Sequence, residues 1–287
     1  MTNAVQTESQ TETVIDEDYK LHRRFDRIGR LVGDEGMARL FGARVAVIGL
    51  GGVGSFAAEA LARSGVGTID LVDFDLVCIT NSNRQLQAMK GTIGKAKAET
   101  LADRLAQINP KAKVNGIQYF YNERTSERLL HPEDQPLDFV VDCIDNVTAK
   151  CHLLATCKEH GIPVVCSTGA SGRFDPTLIR VTDLAKTIVD PLARDVRKIL
   201  RTQYNFPVGK RKFKIPAVYS TEAPAAPKEL TYDNGEGFRC VCPGGSNGMH
   251  SCDKRSVIYG TAGFVTGTFG MVCASVVVKS LVGEDTP

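Results

Sequence analysis

The segment Arg44-Val-Ala-Val-Ile-Gly-Leu-Gly-Gly-Val-Gly54 decides the fold that this sequence predicts. Its first five residues are rich in β-branched side chains, which is typical of a buried strand. The glycines that follow stand at the spacing G-x-G-x-x-G: Gly49, Gly51 and Gly54. The first allows a sharp turn, the second lets a phosphate approach the backbone, and the third lets helix and strand pack closely. Because residues 56–64 read as a helix, the segment predicts a strand–loop–helix unit that binds a nucleotide.

Strand and helix patterns alternate through the first 170 residues. Apolar runs predict further strands at 68–73, 113–119, 139–142 and 163–167, and helical patterns cover 92–108 and 148–160. Nearly continuous apolar strands that alternate with helices are typical of a parallel sheet with both faces covered. The sequence therefore predicts an α/β fold with a doubly wound, largely parallel sheet of the Rossmann-like type.

The pattern changes beyond residue 175. Strands are predicted at 178–181 and 217–220, on either side of a charged helix near 190–202. An uncharged segment at 257–278 is long enough to span a membrane, but its many small residues also suit a tightly packed helix. We expect a C-terminal extension of strands with a buried apolar helix, and no membrane association.

Composition and length set the remaining organisation. The 287 residues are 43% hydrophobic, which suits one large α/β domain over 19–287 after a flexible polar tail at 1–18. We expect a nucleotide-binding half at 40–170 and a half for substrate and dimer contacts at 171–287. The net charge of +2 gives no global attraction for nucleic acid, so such a partner needs a local basic patch. Nine cysteines without a secretory signal predict a reducing, cytoplasmic location.

An acid and two cations decide which nucleotide is bound. Asp73 closes the second strand, where an acid binds ribose hydroxyls, and by itself this arrangement favours an NAD-dependent oxidoreductase. Arg84 and Lys97 oppose that interpretation. Attack at an α-phosphate needs positioned cations for its growing charge, and hydride transfer does not.

Five ordered motifs resemble the E1-like (ThiF/MoeB-type) adenylating family. The family pattern G-x-G-G-x-G, D-x-D, N-x-x-R-Q, G-x-x-K and D-N is matched in order along this chain. The resemblance implies an ATP site formed by Gly49, Gly51, Gly52, Gly54, Asp73, Asp75, Asn81, Arg84, Gln85, Lys97, Asp145 and Asn146. It also implies that Asp73 holds the ribose and that Asn81, Arg84 and Lys97 hold the phosphates. Asp145 would hold Mg²⁺, so the implied cofactors are ATP and Mg²⁺.

The N-terminal segment Arg24-Phe-Asp-Arg27 is similar to the family's R-Y-x-R segment. Its second arginine reaches the triphosphate of the neighbouring subunit, which implies that this chain forms a homodimer. Arg27 would then join Arg84, Lys97 and Asp145 as a catalytic residue. The alternative is that Arg27 pairs with Asp26 or Glu35 on its own surface.

Several segments further resemble one subgroup, the tRNA threonylcarbamoyladenosine dehydratases. They are residues 27–33, 173–193, 219–222 and 266–271, and the likeness runs from about residue 20 to residue 282. The subgroup's reaction is the ATP-dependent dehydration, by cyclisation, of N6-threonylcarbamoyladenosine at position 37 of tRNA, through an acyl-adenylate. The substrate supplies its own nucleophile, so no protein cysteine is required.

A tRNA partner predicts a basic surface. The stretch from 194 to 214 contains eight basic residues and one acid, and Tyr204, Phe206 and Phe213 between them are expected to contribute to an RNA-binding surface. We predict that this stretch binds the anticodon arm through Arg194, Arg197, Lys198, Arg201, Lys210, Arg211, Lys212 and Lys214. A solvated helix face is the alternative.

Two other functions stay open at this point. An adenylyltransferase or sulfur-transfer enzyme that acts on a ubiquitin-like carrier is the first, and an NAD-dependent oxidoreductase is the second. Carrier-protein enzymes commonly have paired C-x-x-C motifs, but this chain has Cys240, Cys242 and Cys252 near His250, which is not a familiar zinc spacing. Those cysteines leave a sulfur-relay or cysteine desulfurase partner open.

Overall fold

A sheet of seven strands lies at the centre of the computed structural model, which describes residues 17–209, 211–230, 232 and 258–284. The strand order is β3-β2-β1-β4-β5-β7-β6, and only β6 runs antiparallel to its neighbour. The strands are β1 (Arg44–Ile48), β2 (Thr68–Val72), β3 (Lys113–Ile117), β4 (Phe139–Asp142), β5 (Val164–Ser167), β6 (Ile179–Asp183) and β7 (Pro216–Ser220). The predicted α/β fold with a largely parallel sheet is confirmed.

Eight α-helices accompany this sheet in the described residues. They are α1 (Glu17–Arg24), α2 (Asp26–Gly42), α3 (Gly54–Arg63), α4 (Lys97–Ile108), α5 (Glu123–Leu130), α6 (Val147–Glu159), α7 (Pro191–Gln203) and α8 (Gly263–Val282). Helix α1 starts inside the segment predicted as a polar tail, and residues 1–16 lie outside the described part of the chain. Helix α4 starts later than predicted because Gly94, with φ of 87°, belongs to the preceding turn.

Helix α5 was not predicted. It is eight residues long and too polar for a clear apolar pattern, and Asn122 caps it by accepting from the N–H groups of Arg124 and Thr125. Helix α8 extends beyond the uncharged segment at 257–278, because its exposed Lys279 continues the helix until Gly283 ends it with φ of 85°.

The helices cover the sheet on both faces. Side chains from α2, α3, α4 and α8 pack on one face, against strand residues such as Val45 and Val47. Side chains from α5, α6 and α7 pack on the other face, against alternate strand residues such as Ala46 and Ile48. Because successive strand side chains point to opposite faces, this double cover explains why the strands are apolar throughout.

The carboxyl ends of β1 and β4 form the point where the chain changes direction across the sheet. From β1 the chain passes to β2 and β3 on one side, and it then returns to β4 on the other side. Connections diverge at such a switch point and leave a crevice, where ligands bind in open α/β sheets. The glycine loop follows β1, Asp73 follows β2 and Asp145 follows β4, so the fold gathers all three at one edge.

Helix α8 packs closely against α3 through small residues. A Cβ on Gly270 would lie 2.4 Å from the carbonyl oxygen of Val53, so only glycine fits there. The helix is long and apolar enough to cross a membrane, with a mean hydropathy of 1.7, but half of that stretch is buried against the protein. The apolar C-terminal helix is therefore present, with one face in the core and Phe264 and Met271 exposed on the other.

Candidate active site

The glycine loop between β1 and α3 keeps its backbone accessible. Gly49 has φ of 90°, and a Cβ there would lie 2.7 Å from the carbonyl oxygen of Cys143. A Cβ on Gly54 would lie 1.8 Å from the carbonyl oxygen of Gly49. Near Gly51, by contrast, a Cβ would meet nothing closer than the Gln85 side-chain nitrogen, at 4.0 Å. Close packing therefore fixes both ends of the loop, while its middle is open to a phosphate at the N-terminus of α3.

Asp73 fastens this loop to the end of β2. Its Oδ2 accepts from the N–H of Leu50 at 2.7 Å, and its Oδ1 accepts from the N–H of Asp75 at 2.8 Å. Burial raises the pKa of the carboxyl group, against the opposing charge of Lys97. Each carboxylate oxygen accepts more than one hydrogen bond, so Asp73 can hold the loop and also accept from a ribose hydroxyl.

Lys97 is the cation at the centre of the site. It begins α4 and is buried, and its Nζ lies 2.9 Å from Oδ2 of Asp75. Burial by itself lowers the pKa of Lys97, but the charges of Asp73 and Asp75, with a smaller effect of Asp145, raise it above its usual value. The lysine is therefore positively charged at neutral pH. The structure thus brings together residues from three of the five motifs.

Asn81, Arg84 and Gln85 lie beside the loop, in and after a short 3-10 turn. The Asn81 Oδ1 accepts from the N–H of Cys78 at 3.0 Å. The Arg84 guanidinium donates to the carbonyl of Thr80 at 2.8 Å and to Asn83 at 3.0 Å. A Cβ on Gly52 would lie 3.2 Å from Cγ of Arg84, which places this arginine next to the glycine loop.

Asp145 and Asn146 differ in what they do locally. Asn146 caps α6, since its Oδ1 accepts from the N–H of Ala149 at 3.0 Å, so this part of its side chain serves the helix. Asp145 is exposed at the mouth of the crevice, and no hydrogen bond among the described residues uses its carboxylate. The same residues contain no group of three or more acidic, His or Cys side chains suited to holding a metal. A Mg²⁺ ion here fits one carboxylate together with phosphate oxygens, which is a common arrangement.

Two buried residues support the site and were not predicted. Gln87 donates from Nε2 to the carbonyl of Leu50 at 2.7 Å and so holds the glycine loop from below. Lys150 donates to Oδ2 of Asp142 at 2.6 Å and to the carbonyl of Ser167 at 2.9 Å, with both charged side chains fully buried. Lys150 therefore joins the ends of β4 and β5, and Asp142 lies three residues before Asp145. Neither residue stands out in the sequence, because a single Gln in a loop and a single Lys in a helix are usually exposed.

Arg27 lies on the surface of α2. The two acids that could have paired with it bind other arginines: Asp26 binds Arg23 and Arg30, and Glu35 binds Arg39. Within the described chain, no hydrogen bond or ion pair joins Arg27 to the residues around the glycine loop. The predicted role in a neighbouring subunit stays a prediction.

The basic stretch is exposed on α7 and the loop that follows it. Arg194, Lys198, Arg211, Lys212 and Lys214 are exposed, while Arg197 and Arg201 are half-buried. Lys210 lies outside the described residues. The expectation that Phe206 and Phe213 are available to RNA is wrong, because both are buried and their rings pack at 4.9 Å. They anchor the loop against α7, and Arg201 stacks on Phe213.

Three buried cysteines on α6 and β5 are poor nucleophiles. Burial raises the pKa of Cys151 to about 11 and that of Cys157 to about 12, and it raises the pKa of Cys166 as well. Thiols in such surroundings stay protonated at neutral pH. Cys240, Cys242 and Cys252 lie outside the described residues.

Comparison with known proteins agrees with this geometry. The sequence model of the ThiF family matches residues 25–287. The chain is 43% identical over 260 residues to the tRNA threonylcarbamoyladenosine dehydratase of Haemophilus influenzae, across 90% of this chain and 93% of that one. The crystal structure of the Escherichia coli tRNA N6-threonylcarbamoyladenosine dehydratase in complex with ATP matches with a TM-score of 0.78 and 37% identity, across 94% of this chain and 98% of that one. A molybdopterin-synthase adenylyltransferase from Salmonella typhimurium is 36% identical, but across only 49% of this chain.

Proposed function

Because this chain belongs to the ThiF family, we infer that it is an ATP-using enzyme, and we propose that it dehydrates N6-threonylcarbamoyladenosine in tRNA. The position of that nucleoside would be 37, next to the anticodon. One observation carries the proposal: a buried, charged Lys97 lies among Asp73, Asp75 and Asp145 beside an open glycine loop. The chain also matches dehydratases along nearly their whole length, one of which was crystallised with ATP.

The proposed chemistry has two steps. The threonyl carboxylate attacks the α-phosphate of ATP, and pyrophosphate leaves as the acyl-adenylate forms. The neighbouring ureido group then attacks the activated carbonyl, loses a proton and expels AMP, so that a ring forms. One carboxylate oxygen leaves with AMP, and the nucleoside loses one water overall. ATP is needed because AMP is a good leaving group and a carboxylate oxygen is not.

The residues of the site each have a part in this proposal. Backbone N–H groups of the glycine loop and the N-terminus of α3 bind phosphate oxygens. Lys97, Arg84 and Asn81 meet the charge that builds up at the α-phosphate, while Asp73 orients the ribose. Asp145 would hold Mg²⁺, which supplies charge neutralisation on the phosphates when it is bound.

Ring closure within the substrate explains why the protein needs no nucleophile of its own. Holding both reacting groups in one molecule can lower a barrier by about 7–11 kcal/mol. Burial keeps Cys151, Cys157 and Cys166 protonated, so these thiols do not compete for the adenylate. The work of the protein is therefore to bind, orient and polarise.

The direct test uses tRNA from a strain that lacks this activity. The purified protein is incubated with this tRNA, ATP and Mg²⁺, and the nucleosides are analysed by mass spectrometry. We expect the threonylcarbamoyl nucleoside to lose the mass of one water, with AMP and pyrophosphate as co-products. An unchanged nucleoside mass, in a preparation that binds ATP, would contradict the proposal.

A carrier-protein adenylyltransferase is the second candidate, because a molybdopterin-synthase adenylyltransferase matches about half of the chain. That function predicts ATP–pyrophosphate exchange that depends on a carrier protein with a C-terminal Gly-Gly sequence. Exchange with such a carrier and none with tRNA would favour it. The dehydratase predicts the reverse.

We also propose that exposed Arg194 and Lys198 on α7 bind the tRNA backbone. Each phosphate contact releases counterions, so tRNA affinity should fall steeply with salt. Charge reversal at both positions should weaken tRNA binding, flatten this salt dependence and leave ATP binding intact. Equal tRNA affinity of the variant in a low-salt shift assay would remove this surface from the proposal.

A further inference from the structure

A strained turn lies immediately before helix α7. The N–H of Asp190 donates to the carbonyl of Ile188 at 2.8 Å, and Val189 between them has φ of 63°. A γ-turn with a positive φ at its centre is rare, and a β-branched residue is sterically disfavoured there. Such strain persists only where surrounding contacts enforce it, and it concentrates at functional sites.

Asp190 enforces this conformation from a buried position. Its Oδ2 accepts from Arg173 at 2.8 Å, from the Thr168 hydroxyl at 3.0 Å and from the N–H of Gly169 at 3.1 Å. Its Oδ1 accepts from the N–H of Ala193 at 2.7 Å and so caps α7. The turn is therefore fixed both to the loop that follows β5 and to the first turn of α7.

The side chains that this turn presents do not serve the core. Ile188 is 55% exposed and Val189 is 48% exposed. Packing would explain the strained backbone if these side chains were buried. Here both side chains are exposed to solvent. Internal contacts of Asp190 hold the turn, and the two exposed aliphatic side chains are available for a contact outside the described residues.

The location of the turn indicates which contact. Thr168 and Gly169 follow β5 at the same edge of the sheet as Asp145, which follows the neighbouring strand β4. On the other side, the Arg197 guanidinium donates to the hydroxyl of Thr187, next to the turn. The turn thus lies between the proposed ATP site and the basic surface of α7.

The charge around α7 favours an RNA loop as the partner. Burial lowers the pKa of Arg197, and the neighbouring charges of Arg201 and Arg194 lower it further against the opposing charge of Asp190. These crowded cations would be stabilised by phosphate groups. An RNA loop that is bound by these arginines, with one nucleoside in the proposed ATP site, would lie against the side chains of Ile188 and Val189.

We propose that Ile188 and Val189 contact the face of the base beside the modified adenosine in the anticodon loop, and so position that adenosine for reaction. This inference rests on the proposed dehydratase function. Aliphatic side chains have no hydrogen-bonding groups to read a base edge, but they pack against base faces and insert between bases in nucleic-acid complexes. We therefore expect this contact to position the modified adenosine and to depend little on which base lies beside it.

The variants Ile188→Ala and Val189→Gly test the contact by steady-state kinetics. Loss of either aliphatic side chain should raise the KM for tRNA by about tenfold and leave the KM for ATP unchanged. Glycine tolerates a positive φ, so Val189→Gly should melt at the same or a higher temperature than the wild type. A merely structural role of Val189 predicts no change in the KM for tRNA.

Asn205→Gly is the matched control. Asn205 also has a positive φ, of 55°, and it lies beyond the opposite end of α7. This variant relieves the same kind of backbone strain without touching the turn. Asn205 lies within the basic stretch but is not one of its predicted tRNA-binding side chains, so the variant's KM for tRNA should stay within about twofold of the wild-type value. A KM increase equal to that of Val189→Gly would overturn the proposal, because the effect would then come from the backbone around α7.

A double-mutant cycle identifies the base. Anticodon stem–loops with an abasic site on the 5′ or the 3′ side of the modified adenosine are compared with the intact stem–loop. One abasic substrate should raise the KM of the wild type about tenfold but that of Val189→Gly less than about twofold, because the contact is already lost. If each abasic substrate raises the KM of Val189→Gly by the same factor as the KM of the wild type, the two changes act independently and the proposal is overturned. Failure of the wild type to dehydrate intact tRNA would instead overturn the proposed function.

Discussion

At the scale of single residues, Lys97 shows how burial and charge combine in the site. A lysine taken out of water loses hydration, and its pKa falls unless carboxylates compensate. Here Asp73 and Asp75 compensate fully, since the pKa of Lys97 is raised. Asp75 binds Lys97 directly at 2.9 Å, so this ion pair holds the cation in place before a phosphate arrives.

The variant Lys97→Ala should lower kcat/KM for ATP by roughly 10²–10³-fold, because the proposed α-phosphate site would lose a positioned charge. ATP–pyrophosphate exchange in the presence of tRNA measures this effect. Lys95→Ala is the matched control, since Lys95 is exposed two residues earlier. A Lys97→Ala enzyme with the activity of the Lys95→Ala enzyme would exclude Lys97 from the phosphate site.

At the scale of secondary-structure elements, α3 follows the glycine loop and is held from two sides. Glu59 on α3 binds Arg104 of α4 at 2.6 Å and Arg63 at 2.8 Å. On the other side, α8 contacts α3 through glycines such as Gly270. Both contacts therefore help to fix the position of the glycine loop, because α3 begins at Gly54, the last glycine of that loop.

The Glu59 contacts predict a dependence of stability on pH. Burial raises the pKa of Glu59, but its bonds to Arg104 and Arg63 outweigh that effect and lower it below the ordinary 4.5. A lowered folded-state pKa stabilises the fold above the unfolded-state pKa, and this contribution disappears as the pH falls through the folded-state pKa. Glu59→Gln should therefore cost about 1 kcal/mol of unfolding free energy at pH 7.

Urea unfolding of the wild type and of Glu59→Gln at pH 7 and near pH 3 measures this difference. We expect the two proteins to differ at neutral pH and to converge in acid. A difference that persists equally at both pH values would show that the glutamate charge is not its source.

Gly270→Ala should separate α8 from α3. The new Cβ would lie 2.4 Å from the carbonyl oxygen of Val53 and 2.8 Å from the nitrogen of Ala57, so backbone must move. We expect a loss of about 1–3 kcal/mol in unfolding free energy and weaker ATP binding, since Val53 belongs to the glycine loop.

Ser275→Ala, on the exposed face of the same helix, is its control and should stay within about 0.5 kcal/mol of the wild type. Thermal unfolding and ATP titration measure both variants. Equal behaviour of the two would contradict a tight α3–α8 contact.

At the scale of the whole molecule, Arg27 makes no contact with the glycine loop of its own protomer within the described residues. Asp26 and Glu35 form their ion pairs with other arginines, and the nearby charge of Arg27 acts on Asp26 without a direct ion pair in the described residues. We propose that Arg27 completes the ATP site of a second copy in a symmetric dimer, where each subunit contributes to the site of the other.

Complementation tests this arrangement. Arg27→Ala and Lys97→Ala should each be inactive alone. After they are mixed and allowed to exchange subunits, half of the dimers carry one intact site of two, so about a quarter of the wild-type activity should return. The measured quantity is tRNA-dependent release of AMP. A mixture as inactive as its components would exclude a contribution of Arg27 in trans.

The sequence by itself determined the strand–loop–helix unit at 44–63, the parallel sheet and the order of the motifs. These features depend on local patterns, such as glycine spacing and continuous apolar runs, that neighbouring residues specify. The segment at 257–278 shows the limit of that approach, because small apolar residues alone do not distinguish a core helix from a membrane helix.

Only the tertiary structure decided how the site is supported. Gln87 holds Leu50, Lys150 pairs with Asp142, and Arg173 with Asp190 fixes the strained turn at Val189. It also showed that Phe206 and Phe213 belong to the core and not to an RNA surface. The physical reason is that each of these contacts joins residues from different elements. The burial that makes a charge or a ring important exists only once those elements have packed together.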